Sequence, residues 1–176
     1  QISGSQVRPK LLELIGLDYA SKDVNFKLKS SEISGGLRIQ HLEFANSIAE
    51  TVQGIVCSPV SSDRELPGVV CIPGTGSNAE ILANSKFYEP VQTPGRLVGW
   101  SRELAKRGFT TLAITVKGTE SRRTTLKSWN TEAKLLAPYG RTQMGLIVEE
   151  TLSAAKILSS LRGVDASLIG LTGMSL

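Results

Sequence analysis

Aromatic side chains are scarce in this chain, four Phe, three Tyr and two Trp, or 5% of the residues. That is too few for a platform on which bases stack. Positive charge is not concentrated either. The formal net charge is +4, and the 20 Lys and Arg are spread among 16 Asp and Glu without a basic arm. Nucleic acid is therefore not an expected partner. A single histidine and two cysteines, with no CxxC pair, leave most zinc geometries without ligands, so no metal and no cofactor is implied. Cys57 and Cys71 each sit inside an apolar run and read as buried free thiols, with one disulfide as the alternative. No apolar stretch approaches the roughly 20 residues that span a bilayer, and a signal-peptide core is missing too. Nothing in the sequence marks a compartment.

What is present suits one globular domain: 176 residues, 40% apolar and 20% charged. After a polar lead, a short helix is expected around Lys10–Ile15. Three strands follow. Val24–Lys29 and Leu37–Phe44 alternate apolar and polar residues, Glu50–Pro59 carries Val52, Ile55 and Cys57, and Ser34-Gly35-Gly36 supplies a turn between the first two. This set reads as an antiparallel meander at one sheet edge. Gly68–Ile72, Thr110–Val116 and Ser167–Thr172 are almost wholly apolar, as strands buried on both faces are. A helix is expected over Val98–Lys106, stopped by Gly108, and the clearest one over Arg141–Leu161, stopped by Gly163. Lys117–Arg141 reads as a polar connection, and residues 77–97 as a cap or an excursion. Edge strands followed by alternating strands and helices predict an α/β sheet that turns from antiparallel to parallel.

The chemistry-bearing motif stands at the end of the chain. Thr172-Gly173-Met174-Ser175-Leu176 supplies the first four positions of Gly-x-Ser-x-Gly. On its own Gly-x-Ser says little, since such a serine can equally cap a following helix. Here an apolar strand precedes it directly and an amphipathic helix precedes that strand. This is the context of a nucleophile elbow, where small neighbours let the serine occupy a strained turn. Pro73-Gly74-Thr75-Gly76 follows the strand Gly68–Ile72, and its small residues would let backbone approach an oxyanion. An ordinary glycine-rich turn is the plainer alternative. A phosphate loop is disfavoured because no Gly-x-x-x-x-Gly-Lys-Ser/Thr is present. His41, the only histidine, sits mid-strand in the edge region and reads as a structural or surface side chain rather than a base. Arg122, Arg123 and Lys127, near Trp129, read as a solvated basic loop or as a greeting for an anionic substrate, and Arg141 as a pin ahead of the long helix.

Residues 68–77 and 98–176 resemble the α/β-hydrolase superfamily, nearest its dienelactone-hydrolase-like and acetyl-xylan-esterase-like branches. The run Leu161-Arg162-Gly163-Val164-Asp165, followed by Leu168-Ile169-Gly170-Leu171-Thr172-Gly173-Met174-Ser175, is similar to their helix–Val-Asp–strand–elbow sequence. Lys117-Gly118-Thr119-Glu120-Ser121 resembles their Arg-Gly-x-Gly-x-Ser loop, with Lys for Arg and Glu for Gly, and Pro73 stands where many members have His. The resemblance implies the N-terminal half of an α/β-hydrolase domain. It implies Ser175 as nucleophile, with the backbone N–H groups of Leu176 and Thr75 as oxyanion donors. The catalytic Asp or Glu and the His are implied beyond residue 176, on a C-terminal fragment or second chain that would be this chain's partner. A small carboxylic ester or lactone is the implied substrate. The expectations that follow are a chain inactive alone, and an open apolar sheet edge that leaves it insoluble or partly unfolded without its complement. Gln1 in place of Met fits a processed or divided chain. The other functional classes are a non-catalytic binding or signalling module on the same fold and an acyltransferase.

Overall fold

A computed structural model describes residues 4–17, 24–74, 76–84, 98–119, 122 and 129–174. Three strands, β1 (Phe26–Ser34), β2 (Leu37–Ala45) and β3 (Thr51–Pro59), pair antiparallel in chain order, as the meander predicts. Gly35 and Gly36 form the β1–β2 link with φ of 61° and 75°, the pair of positive angles that lets a two-residue loop match the twist of its strands. β1 runs five residues past its predicted end at Lys29. It is an edge strand whose middle is exposed, so the ladder with β2 extends it rather than apolar residues of its own.

The second half of the sheet is parallel. β4 (Leu66–Ile72) lies between β5 (Thr110–Ile114) and β6 (Val164–Gly173), and the whole order is β1-β2-β3-β5-β4-β6. β5 pairs antiparallel with β3, which makes the predicted change of direction. Helices α2 (Ala79–Leu82) and α3 (Trp100–Lys106) connect β4 to β5. Helix α4 (Trp129–Leu136), a 3-10 turn at Ala137–Tyr139 and helix α5 (Gln143–Ser160) connect β5 to β6. The sequence reading lacked α2 and α4. One is a single turn, and the other sits in a stretch whose Pro and Gly conceal it.

Two cores follow from the pleat. On one face Leu42, Val56, Val70, Leu112 and Ile114 pack against Ile147, Ala154, Ile157 and Leu158 of α5. On the other Ile39, Ile55, Cys71 and Ala113 meet Ala79 and Leu82 of α2 and Ala105 of α3. Burying a Leu or Ile side chain of this kind contributes about 1.5–3 kcal/mol. The strand read over Ser167–Thr172 ends the described sheet with an open apolar edge, as expected, and Leu168 and Leu171 are 55% and 56% exposed there. Ile169 packs against the α5 core, while Leu168 and Leu171 stay uncovered among the described residues.

Helix α1 (Gly4–Leu14) fastens to the start of α5. Arg141 Nη1 donates to Gly16 O at 3.0 Å, and Thr142 Oγ1 donates to Ile15 O while accepting from Gly145 N, so one hydroxyl caps α5 and ties α1. Arg141 thus pins a loop, as its position suggested. A Cβ on Gly145 would run into the Ile15 carbonyl oxygen, a backbone atom that cannot turn aside. Gly145→Ala should therefore lower stability by about 1–3 kcal/mol. Thermal melts check this, and protease cleavage ahead of residue 17 should quicken in parallel.

Candidate active site

The parallel strands end side by side. In the β4–β6 register Cys71 pairs with Thr172 and Ile72 with Gly173. Neighbouring strands lie about 4.8 Å apart, so Pro73-Gly74 and Met174 leave the sheet together at its carboxyl edge. That edge is where open α/β sheets hold ligands. An added Cβ at Gly173 would come 3.4 Å from the Ile72 Cβ, an ordinary contact, so the two strand ends are immediate neighbours.

The chain after β4 is held in place. Ser77 N donates to Gly74 O at 3.0 Å. Asn78 Oδ1 caps α2 by accepting from Ile81 N at 2.9 Å. Ala79 N donates to Thr115 Oγ1 at 3.1 Å, which ties this segment to the tip of β5.

Beside that tip lies a buried ionic cluster. Glu150, 0% exposed in mid-α5, accepts from Asn46 Nδ2 at 2.8 Å, Lys117 N at 2.9 Å and Arg122 Nη1 at 2.8 Å. Arg122 also donates to Thr115 O and to Glu50 Oε2, and Lys117 Nζ reaches Glu50 Oε1 at 2.6 Å. Burial alone would raise the Glu50 carboxyl, but the Lys117 and Arg122 cations outweigh it and hold the group below its ordinary value. The cluster binds the loop after β5 to the start of β3 and to α5. Glu150 lies on the apolar stripe Ile147–Ala154–Ile157. A carboxylate at that position was the sequence signal for the cluster, and it was overlooked.

The residues assigned to catalysis from sequence, Thr75, Ser175 and Leu176, lie outside the described residues, as do residues 85–97 of the suggested cap and Arg123 and Lys127 of the basic loop. Arg122 is neither solvated nor free to greet a substrate, since both ends of its guanidinium are bound within the protein. His41 is set apart by the register. The row His41–Ile55–Ala113–Cys71–Thr172 crosses four strand intervals, about 19 Å at ~4.8 Å each. Its Nδ1 lies 3.5 Å from Glu80 Oε1 of α2. Cys57 and Cys71 are free, and the intervening β5 keeps their strands beyond disulfide reach. Burial raises them to about 11 and about 12, so both stay protonated and inert at neutral pH. A cavity of about 490 Å³, lined by Pro59, Arg64, Leu66, Lys106 and Gly108, opens at the other end of the sheet, where β4 and β5 begin. It takes no part in the rim. Among the described residues, no helix is long and apolar enough to cross a membrane.

No protein-family model and no curated protein sequence matches the chain. Solved structures do. One is assigned as an acetyl xylan esterase from Bacteroides fragilis, at TM-score 0.76 and 19% identity, covering 96% of this chain and 45% of that one. Acetyl Xylan Esterase 1 from Thermoanaerobacterium matches at TM-score 0.65 and 18% identity, with 94% and 48% covered. A glucuronoyl esterase from Solibacter usitatus matches at TM-score 0.61 and 14% identity, with 96% and 51% covered. The chain has the α/β-hydrolase fold over nearly its whole length. It spans about half the length of the structures it matches.

Two outcomes test the ionic cluster. Glu150→Ala leaves the Arg122 cation without its buried partner and should cost about 3–5 kcal/mol, read from denaturant unfolding. Glu50 ties stability to pH through a depressed carboxyl. Its contribution is full above the unfolded value of about 4.3 and is lost as pH falls through the lower folded value. Melts taken from pH 6 down to pH 3 should fall more steeply for the wild type than for Glu50→Gln.

Proposed function

We propose that this chain supplies the nucleophile half of a serine hydrolase acting on a carboxylic ester or lactone. Ser175 Oγ attacks the carbonyl carbon and its proton passes to a histidine held by an Asp or Glu. The N–H groups of Leu176 and Thr75 receive the carbonyl oxygen as it becomes negative. The C–O bond to the alcohol then breaks, and the alcohol leaves with the proton returned by the imidazolium. Water repeats the sequence to free the acid and restore the serine. The acid and the histidine come from a segment beyond residue 176 or from a second chain, because His41 belongs to a distant strand. The observation that carries this reading is the register Ile72↔Gly173, which starts the Pro-Gly-Thr-Gly turn and the Gly-Met-Ser sequence from adjacent strand ends.

Two further observations favour the reading. The matched structures named as esterases are about twice as long as this chain. The edge of β6 exposes Leu168 and Leu171, where further parallel strands would continue the sheet. In this view the chain by itself turns over no ester. A fluorophosphonate bonds to an activated serine oxygen with loss of fluoride, so it reports the nucleophile directly. It should label the complete protein at Ser175 and leave Ser175→Ala unlabelled. Equal labelling of the two would end the proposal, and labelling of neither would identify a non-catalytic module.

A further inference from the structure

The cavity at the amino end of the parallel strands, about 490 Å³, plays no part in the ester chemistry. Its size falls within the roughly 300–1,000 Å³ of small-molecule sites. Two segments distant in sequence build it, the turn between β3 and β4 and the junction from α3 to β5. Each brings one cation, Arg64 from the first and Lys106 from the second. Arg64 forms no ion pair among the described residues. Lys106 Nζ lies 3.6 Å from Glu103 Oε2, but the same carboxylate faces Arg107 Nη2 at 3.4 Å. One anion is thus divided between two cations, and positive charge is left over. The backbone at Arg64 is set by Ser62, whose hydroxyl donates to Arg64 O at 2.7 Å and accepts from Arg64 N. Leu66, an apolar part of the lining, is fastened by its own N–H to Gly163 O at 2.9 Å. Gly108 adds bare backbone with open space in front of it, since an added Cβ would meet no atom within 4 Å.

We propose that this cavity binds a small phosphate monoester with a hydroxylated carbon body, of the sugar-phosphate class. The phosphate carries close to two negative charges at neutral pH, which suits two cations converging from separate segments. Arg64 offers a planar fork matched to two phosphate oxygens, and Lys106 a point charge. Asp63, the acid of the lining, would repel a second anionic group on the ligand but accepts hydrogen bonds from hydroxyls. Ser61 can do the same, and Pro59 with Leu66 offers apolar surface to the carbon skeleton. A bare phosphate ion would leave most of the volume, Asp63 and Ser61 unused. The inference does not depend on Ser175, because the cavity opens at the opposite end of the sheet from the carboxyl rim.

The test is calorimetric titration of the complete protein with glucose-6-phosphate, glucose and inorganic phosphate in turn. Arg64→Gln and Lys106→Gln are compared with the wild type and with Arg162→Gln, which removes an exposed cation outside the cavity. Glucose-6-phosphate should saturate at one molecule per chain. Loss of either cavity cation should weaken it by about tenfold or more, the scale of one charge-assisted hydrogen bond. Arg162→Gln should bind as the wild type does. Glucose and inorganic phosphate should each bind about tenfold more weakly or less, since each meets only part of the lining. Arg64 and Lys106 are exposed, so both variants should melt as the wild type does, which separates loss of ligand from loss of fold. No saturable binding of glucose-6-phosphate would overturn the inference. Unchanged affinity in Arg64→Gln and Lys106→Gln would do so too, as would an equal loss in Arg162→Gln. Inorganic phosphate held as tightly as glucose-6-phosphate would reveal a bare anion site and overturn the assignment to a sugar phosphate.

Discussion

The seam between β4 and β6 governs the carboxyl rim. Parallel pairing alone would allow the two strands to slide, and any slide would carry Met174 away from Pro73. Gly68 prevents it. A Cβ there would come within 2.7 Å of Ile169 Cδ1 and 3.0 Å of Leu158, so those side chains fill the space the glycine leaves. Shifting β6 by one residue would withdraw Ile169 from that space and turn its side chains to the opposite faces. The irregularity sits just below this lock. Between Pro67 and Gly68 the partner residue jumps from Asp165 to Ile169. The bulged residues are fastened by Asp165 Oδ1, which accepts from Ser167 N at 2.9 Å and from Ser167 Oγ. Those bonds hold the exposed Asp165 carboxyl below its ordinary value. The register above the bulge is therefore fixed where it begins.

Much of this architecture could be read from residue order. Period-two alternation in Leu37–Phe44 and the apolar runs Gly68–Ile72 and Thr110–Val116 reported strands, because a pleat sorts side chains between two cores that α5 and the α2–α3 pair cover. The long stripe of α5 was legible for the same reason. β6 has the composition of an interior strand and stands at the margin of the described sheet, the open apolar edge that its place at the end of the strand order implied. α4 was hidden by neighbours such as Pro138 and Gly140, which mark a loop whether or not a helix precedes it.

Of the site, the sequence offered two glycine-flanked motifs whose centres, Thr75 and Ser175, lie outside the described residues, and pairing between β4 and β6 brings the described flanks of both to one edge. Glu150 could not be singled out by type, as glutamate is common on helices. What distinguishes it is full burial with three donors. Arg122 shows the converse. Its neighbours in sequence suggested a wet basic loop, but two carboxylates more than 20 residues away in either direction claim both ends of the guanidinium.

Glu150 also couples α5 to the rest of the sheet. Its three donors come from two places far apart in the chain, Asn46 in the β2–β3 loop and Lys117 and Arg122 in the stretch after β5. If α5 docked before those segments had gathered, a bare carboxylate would enter an apolar layer at a cost of several kcal/mol. The seating of α5 is thus coupled energetically to the arrangement of the segments that carry its donors. A single acid on an apolar stripe penalises packing of α5 on a sheet that lacks them.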